Sequence, residues 1–330
     1  MNIGFFELEN WEKEYFQKEI VGHNLTFYTT HIEKDSQNLK TLDVIAIFIQ
    51  SQITKEMLSK MPNLKFITTM STGFDHIDMQ ECKRRNIIVS NVPSYGEVTV
   101  AEHTFALILS ISRRLTESIE RTKKGEFMPT GLTGFELKGK TWGVIGVGAI
   151  GINVIDIAKG FGMNVLAFKR NPDLVLEQSL GFKFVDLKTL CQNSYIISLH
   201  VPYSKETHHL LNQELFQIMK DGVVIINTAR GGLIDSSALL SALNNNKVSF
   251  AGLDVLEEEP LLQEEKELIS QNFDKEKLIN VLHDHILIKL PNVIVTPHNA
   301  FNSREALHII VQTTHDNIMS FISKVPKNTL

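Results

Sequence analysis

One stretch constrains this chain more than any other: Gly146-Val147-Gly148-Ala149-Ile150-Gly151. Immediately before it, Thr141-Trp142-Gly143-Val144-Ile145 reads as a strand. Immediately after it, Ile150–Lys159 reads as a helix. Each glycine in this order has a separate job. The first permits a tight turn, the second lets the backbone approach a pyrophosphate, and the third lets helix and strand pack closely. The helix start then offers free N–H groups and the positive end of its dipole to phosphates. Gly146, Gly148 and Gly151 are therefore candidate dinucleotide-binding residues. A chain with such a turn is expected to be α/β, with parallel strands joined through helices.

The rest of the pattern agrees. Short β-branched runs are expected as strands at Met1–Phe6, Val44–Phe48, Phe66–Thr69, Ile87–Ser90, Asn164–Phe168, Tyr195–Leu199, Val223–Asn227, Phe250–Leu253 and Val293–Thr296. Runs such as Val223-Val224-Ile225-Ile226 are apolar throughout, as suits strands covered on both faces. Helices are expected at Glu12–Ile20, Thr54–Lys60, Val98–Thr122, Ser236–Asn244 and Ser303–Ser320. The third of these is apolar around much of its circumference and needs burial on more than one side, as a place between two domains or at a subunit contact would supply. Lys123–Lys138 reads as a loop, and Glu257–Leu290 as a charged excursion holding a helix or two.

With 330 residues there is room for two domains. The net charge of -5 gives no bulk electrostatic case for nucleic acid. The N-terminal residues lack the plan of a signal peptide, and no apolar run reaches the ~18 residues of a membrane span. The two cysteines, Cys82 and Cys191, form no redox or zinc spacing. A cytoplasmic protein is expected. His208-His209 and His283-Asp284-His285 lack any accompanying ligand spacing, so no metal is expected. The acidic stretch from Glu257 to Glu267 reads as surface.

The strand after the glycine turn ends at Lys169-Arg170. A site for NAD usually carries an acid there, about 20 residues on, to bond the ribose 2′-hydroxyl. Lys and Arg accept no hydrogen bond, but both bind a 2′-phosphate. Use of NADPH at least as well as NADH is one reading, with Lys169 and Arg170 as cofactor residues. Two solvated side chains are the other.

Three further motifs follow expected strands at the edge where open α/β sheets bind ligands. They are Asn227-Thr228-Ala229-Arg230-Gly231-Gly232, Asp254-Val255 running on to Glu259-Pro260, and Thr296-Pro297-His298. Reduction of a 2-oxo acid needs a cation for the carboxylate and ketone, and Arg has the planar fork for it. It needs a proton donor, for which His is suited. It also gains from a carboxylate that fixes the tautomer of that His. Arg230, His298 and Glu259 are the candidates, with Asp254 toward the nicotinamide end. Any one of them alone reads as an exposed loop residue; together, after strands of one sheet, they make a catalytic set.

These segments, with Ser71-Thr72-Gly73-Phe74-Asp75-His76-Ile77-Asp78, Pro93-Ser94-Tyr95, Val100-Ala101-Glu102-His103-Thr104, Ser198-Leu199-His200-Val201-Pro202 and Thr207-His208-His209, run in order over nearly the whole chain. In them the chain resembles the D-isomer-specific 2-hydroxyacid dehydrogenases, closest to the D-lactate dehydrogenase-like branch. The resemblance implies two Rossmann-like domains flanking a cleft. A substrate-binding domain of residues 1–100 and 299–330 would be interrupted by a dinucleotide-binding domain of residues 101–298. It implies that Arg230 binds substrate, His298 is the acid/base and Glu259 tunes it. Thr72 and Gly73 would hold the substrate carboxylate by their N–H groups, and Tyr95 would shape the pocket. Ala149, Ile150, Val201, Pro202, Thr207, Thr228, Ala229 and Asp254 would line NAD(P)H, and the protein would be a homodimer. A glyoxylate or hydroxypyruvate reductase is the alternative enzyme; a dinucleotide-sensing corepressor-like scaffold is the alternative outside catalysis. Lys169 departs from the Asp of the family's NAD-preferring members.

Overall fold

The computed structural model describes residues 1–34, 38–259 and 275–330. The chain forms two compact units, one of Met1–Tyr95 with Asn302–Leu330 and one of Gly96–Phe301. The second unit is thus inserted into a discontinuous first one. Each is built on a parallel sheet, so the protein is α/β with two Rossmann-like sheets.

In the first unit the elements are β1 (Asn2–Phe5), α1 (Asn10–Glu19), β2 (Asn24–Phe27), β3 (Val44–Ile47), α2 (Lys55–Ser59), β4 (Phe66–Thr69), α3 (Met79–Arg84) and β5 (Ile88–Ser90). The sheet order is β2-β1-β3-β4-β5. β3 and β4 are buried along their whole length, which is why Val44–Ile47 and Phe66–Thr69 show little alternation. β2 was not expected. It is an edge strand with the burial pattern exposed, half-buried, exposed, half-buried, and its polar residues mask it. The last helix of the chain, Arg304–Ile322, returns to this unit and packs on β4. Its buried Asn317 donates to Asn91 O at 2.9 Å and to Thr68 Oγ1 at 3.2 Å, and accepts from Asn328 Nδ2 at 2.8 Å. Asn317→Leu takes this donor from the buried Asn91 O and Thr68 Oγ1. It is expected to cost about 1–3 kcal/mol, seen as a lower urea midpoint with an unchanged slope. An unchanged midpoint counts against this reading.

The second unit runs α4 (Glu97–Ser112), α5 (Leu115–Lys123), β6 (Thr141–Ile145), α6 (Ala149–Gly160), β7 (Asn164–Phe168), α7 (Leu174–Leu180), β8 (Lys183–Phe184), α8 (Leu187–Asn193), β9 (Ile196–Leu199), α9 (Gln213–Ile218), β10 (Val223–Asn227), α10 (Ser236–Asn244), β11 (Val248–Leu253), α11 (Lys275–Lys289) and β12 (Val293–Val295); the helix Arg304–Ile322 is then α12. The sheet order is β12-β11-β10-β9-β6-β7-β8. The chain enters at β6, builds outward to β8, then crosses back to β9 and builds the other way. The switch point lies between β6 and β9, where such sheets bind ligands. Asp173, Asp186, Asn212 and Asp235 cap α7, α8, α9 and α10 through their side chains, each worth about 1 kcal/mol.

The helix expected over Val98–Thr122 is two helices. It breaks at Arg113-Arg114, where Arg114 takes a left-handed φ of 49°. No Gly or Pro marks the break, and the apolar spacing runs through it in Leu115 and Ile119. α4 meets its need for burial within its own unit, packing on α6 and on β10 and β11. Of the excursion between Glu257 and Leu290, residues 260–274 lie outside the described residues, and α11 occupies most of the rest. Among the described residues no helix is long and apolar enough to cross a membrane.

Candidate active site

The glycine turn is built as its spacing requires. Gly146 has φ +100°, and a Cβ there would sit 2.4 Å from His200 O. A Cβ on Gly151 would sit 2.1 Å from Gly146 O, so helix α6 reaches the turn only without a side chain. Gly148 is different: a Cβ there would meet nothing within 4 Å. Space is therefore left open at the N-cap of α6, where a pyrophosphate must approach the backbone. The first bond within the helix runs from Ile152 N to Gly148 O, leaving the N–H groups from Ala149 to Gly151 for a ligand. These observations fit a dinucleotide.

Two loops frame this turn. Lys169 and Arg170 follow β7 and are exposed. After β9, Thr207 Oγ1 donates to Pro202 O at 2.8 Å and accepts from Ser204 N at 2.7 Å, which closes the loop from Val201 to Thr207. Ser204 and Arg170 both act on Glu206 in that loop. The Ser204 hydroxyl first, and Arg170 more weakly, hold its carboxyl below the ordinary glutamate range. Arg170 thus stands within electrostatic reach of the Val201–Thr207 loop.

On the far side of the switch point, Asn227 ends β10 almost fully buried. Its Nδ2 donates to Arg230 O at 2.9 Å and its Oδ1 accepts from Ala229 N at 3.0 Å. That side chain shapes the loop carrying Thr228, Ala229 and Arg230. Thr228 Oγ1 meets Thr104 Oγ1 of α4 at 3.0 Å. The half-buried Arg230 donates from Nη1 to Ala229 O at 2.8 Å. A Cβ on Gly231 would lie 1.9 Å from Leu256 O, so this loop lies directly against the segment that leads to Glu259.

There His298 and Glu259 meet. His298 Nδ1 is 2.8 Å from Glu259 Oε2, and the other oxygen, Oε1, accepts from Leu256 N at 2.8 Å. The His298 backbone is left-handed, at φ 50°, a conformation costly for a non-glycine residue. It is held by bonds from His298 N to Asp254 O and Thr296 O, both 2.9 Å.

Asp254 holds the same loop through its side chain, which is fully buried. It accepts from Thr296 Oγ1 at 2.5 Å, Asn299 N at 3.0 Å and Ala300 N at 2.8 Å. His103 of α4 joins it, with Nε2 at 3.4 Å from Asp254 Oδ1 and 3.1 Å from Thr296 Oγ1. Burial pushes the Asp254 carboxyl up, but these donors outweigh it and hold it below the ordinary aspartate range. Asn227, His103 and Thr296 were not singled out as site residues from sequence. Each lies within a motif, but nothing in the sequence marks its side chain as a bonding partner.

Thr72, Gly73 and Tyr95 belong to the other unit. Thr72 follows β4; its Oγ1 donates to Val92 O at 2.8 Å, and its carbonyl accepts from Asn91 Nδ2 at 2.9 Å. Ser71 Oγ donates to Gly73 O at 2.7 Å. The carbonyls and hydroxyls of this turn are thus used internally. Among the described residues neither the Thr72 nor the Gly73 N–H donates a bond.

The acidic residues after Asp254 do not form a uniform surface. The side chain of Glu257 is only 7% exposed and bonds inward. The spacing of three successive acids carries no sign of this, and the part of that stretch beyond Glu259 is outside the described residues.

Comparison with known proteins gives a consistent picture. A family model described as D-isomer specific 2-hydroxyacid dehydrogenase, NAD binding domain, matches residues 105–300. The D-lactate dehydrogenase of Escherichia coli (strain K12) is 36% identical over 326 residues, 96% of this chain and 96% of that protein. A glyoxylate reductase of Thermococcus litoralis is 33% identical, over 88% of this chain and 84% of its own. The crystal structure of a D-lactate dehydrogenase from Aquifex aeolicus, complexed with NAD and lactic acid, superimposes with a TM-score of 0.87 at 38% identity. The match covers 98% of this chain and 96% of that one.

Proposed function

The chain belongs to the D-isomer-specific 2-hydroxyacid dehydrogenases, in the D-lactate dehydrogenase-like branch, and we propose that it reduces a small 2-oxo acid such as pyruvate through Arg230, His298 and Glu259. The observation that carries the residue roles is the 2.8 Å contact of His298 Nδ1 with Glu259 Oε2 at the ligand end of the sheet. With Nδ1 engaged by the carboxylate, Nε2 is the ring atom left to exchange a proton with the substrate oxygen. Glu259 fixes the tautomer and the ring plane. Arg230 supplies the fixed charge that binds the carboxylate and polarises the ketone. Thr72 and Gly73 add N–H groups for the carboxylate, and Tyr95 shapes the pocket. A bound dinucleotide, held along Gly146–Gly151 with Val201, Pro202, Thr207, Thr228 and Ala229, supplies the hydride. The buried Asp254 serves by holding the His298 loop.

A panel of 2-oxo acids, assayed with NADH and with NADPH, tests this reading. Turnover of pyruvate supports it. Turnover confined to glyoxylate or hydroxypyruvate moves the chain to the second reading, which the glyoxylate reductase relative favours. Tight dinucleotide binding without turnover of any 2-oxo acid would leave only the scaffold reading. The family resemblance extends the proposal to a homodimer, which light scattering checks.

We infer further that NADPH serves at least as well as NADH, because Lys169 and Arg170 stand exposed where an acid would bond the 2′-hydroxyl. Lys169→Asp is expected to shift the ratio of kcat/KM toward NADH by about tenfold or more, the worth of one charge-assisted phosphate contact. A wild-type protein with a strong NADH preference defeats the inference.

A further inference from the structure

The loop after β9 and the segment bearing Glu259 are joined by a side chain with no role so far. Glu257 Oε1 lies 2.6 Å from His209 Nε2. Its Oε2 accepts from Ser236 Oγ at 2.7 Å, at the start of α10. His209 itself follows directly on Thr207-His208 in a left-handed turn, and its N–H donates to Gly232 O at 2.9 Å. The carboxylate therefore ties the segment carrying Glu259 to the loop after β9 and to the start of α10, while the His209 N–H ties that loop to the one carrying Arg230.

A second anchor holds the same segment from α11. Asp284 is fully buried, and its Oδ2 accepts from the N–H of Glu258 at 2.9 Å. Its Oδ1 lies 3.4 Å from Ser236 Oγ. A hydroxyl has one proton to donate, and the 2.7 Å distance assigns it to Glu257. Burial, helped by the charges of Glu257 and Glu258, pushes the Asp284 carboxyl up to about 7. A protonated Asp284 relieves the repulsion between two buried acids that share Ser236. The backbone from Leu256 to Glu259 is thus pinned at residue 257 by its side chain, at 258 by its N–H, and at 256 by Glu259 itself. Glu259 has both oxygens committed, so its fit to His298 follows the position of this backbone.

We propose that Glu257 is a positioning residue that couples the loop after β9 to Glu259, and acts on the reaction only through Glu259. This rests on the reading of Glu259 and His298 as the proton-transfer pair. The test is a double-mutant cycle on kcat with saturating pyruvate and cofactor, using Glu257→Gln, Glu259→Gln and the double variant. Glu257→Gln alone is expected to lower kcat about tenfold, with the KM for pyruvate changed less than about threefold. In the Glu259→Gln background the same change is expected to lower kcat less than about twofold, because residues acting as a unit are non-additive. Equal losses in both backgrounds overturn the proposal and leave the proton-transfer reading intact. A Glu259→Gln variant with full kcat overturns that reading, and the coupling with it. If Glu257→Gln does not fold, His209→Leu removes the donor from the half-exposed end of the same link, and the same cycle decides.

Discussion

His298→Ala is expected to lower kcat by about 10²–10⁴-fold, the usual worth of a positioned acid/base. The ring is specified from three directions: Glu259 at Nδ1, and the Asp254 and Thr296 carbonyls on the backbone N–H. The left-handed φ of 50° aims it, and strain of that kind persists where the surroundings over-determine it. Alanine removes the proton donor without touching Gly146–Gly151, so dinucleotide binding is expected to survive. Fluorescence titration with NADH and NADPH, alongside steady-state kinetics, separates the two effects. Near-normal turnover, or loss of cofactor binding in step with activity, would remove His298 from the acid/base role.

Asp254→Ala is expected to have the largest effect on stability, about 3–5 kcal/mol, because it strips a buried carboxylate from several donors at once. Thr296 Oγ1 and the N–H groups of Asn299 and Ala300 lose their acceptor, and His103 loses a neighbour. Activity falls with it, since the loop between Thr296 and Ala300 carries His298. The effect depends on pH in a definite direction. The Asp254 carboxyl is held below its ordinary value in the folded protein. Its contribution is therefore present above the unfolded aspartate pKa, near ~3.9, and is lost as pH falls through the lower folded value. The stability gap between wild type and variant, measured by urea unfolding, is expected to be full at neutral pH and to narrow below about pH 4. A gap that does not narrow in acid would assign the loss to packing instead of charge.

Much of this protein is legible from short spans of chain. The six residues Gly146–Gly151 specify their own turn, because a left-handed φ and two close backbone approaches are demands that only glycine meets. Val223–Ile226 announces a strand buried on both faces, and all four residues are buried. The order of motifs places the residues of the candidate site at strand ends. Other elements leave no local mark. β2 and β8 are short edge strands, and the break at Arg114 falls where the apolar spacing carries on.

What the sequence determined by itself, then, is everything set by neighbours within one turn or one strand: the dinucleotide turn, the buried strands, the α/β class, and the residue types for a 2-oxo acid reaction. Sequence already pointed to Glu259 as the acid for His298; tertiary structure alone decided where the other acids turn. Three glutamates stand in a row at 257–259. Glu259 turns to His298, 39 residues on; Glu257 turns to His209, 48 residues back. Asp254 likewise finds its donors 42 to 46 residues downstream, and His103 on a helix far upstream. A carboxylate's role depends on the donors that surround it, and those donors are brought together only when parallel strands distant in sequence align their ends.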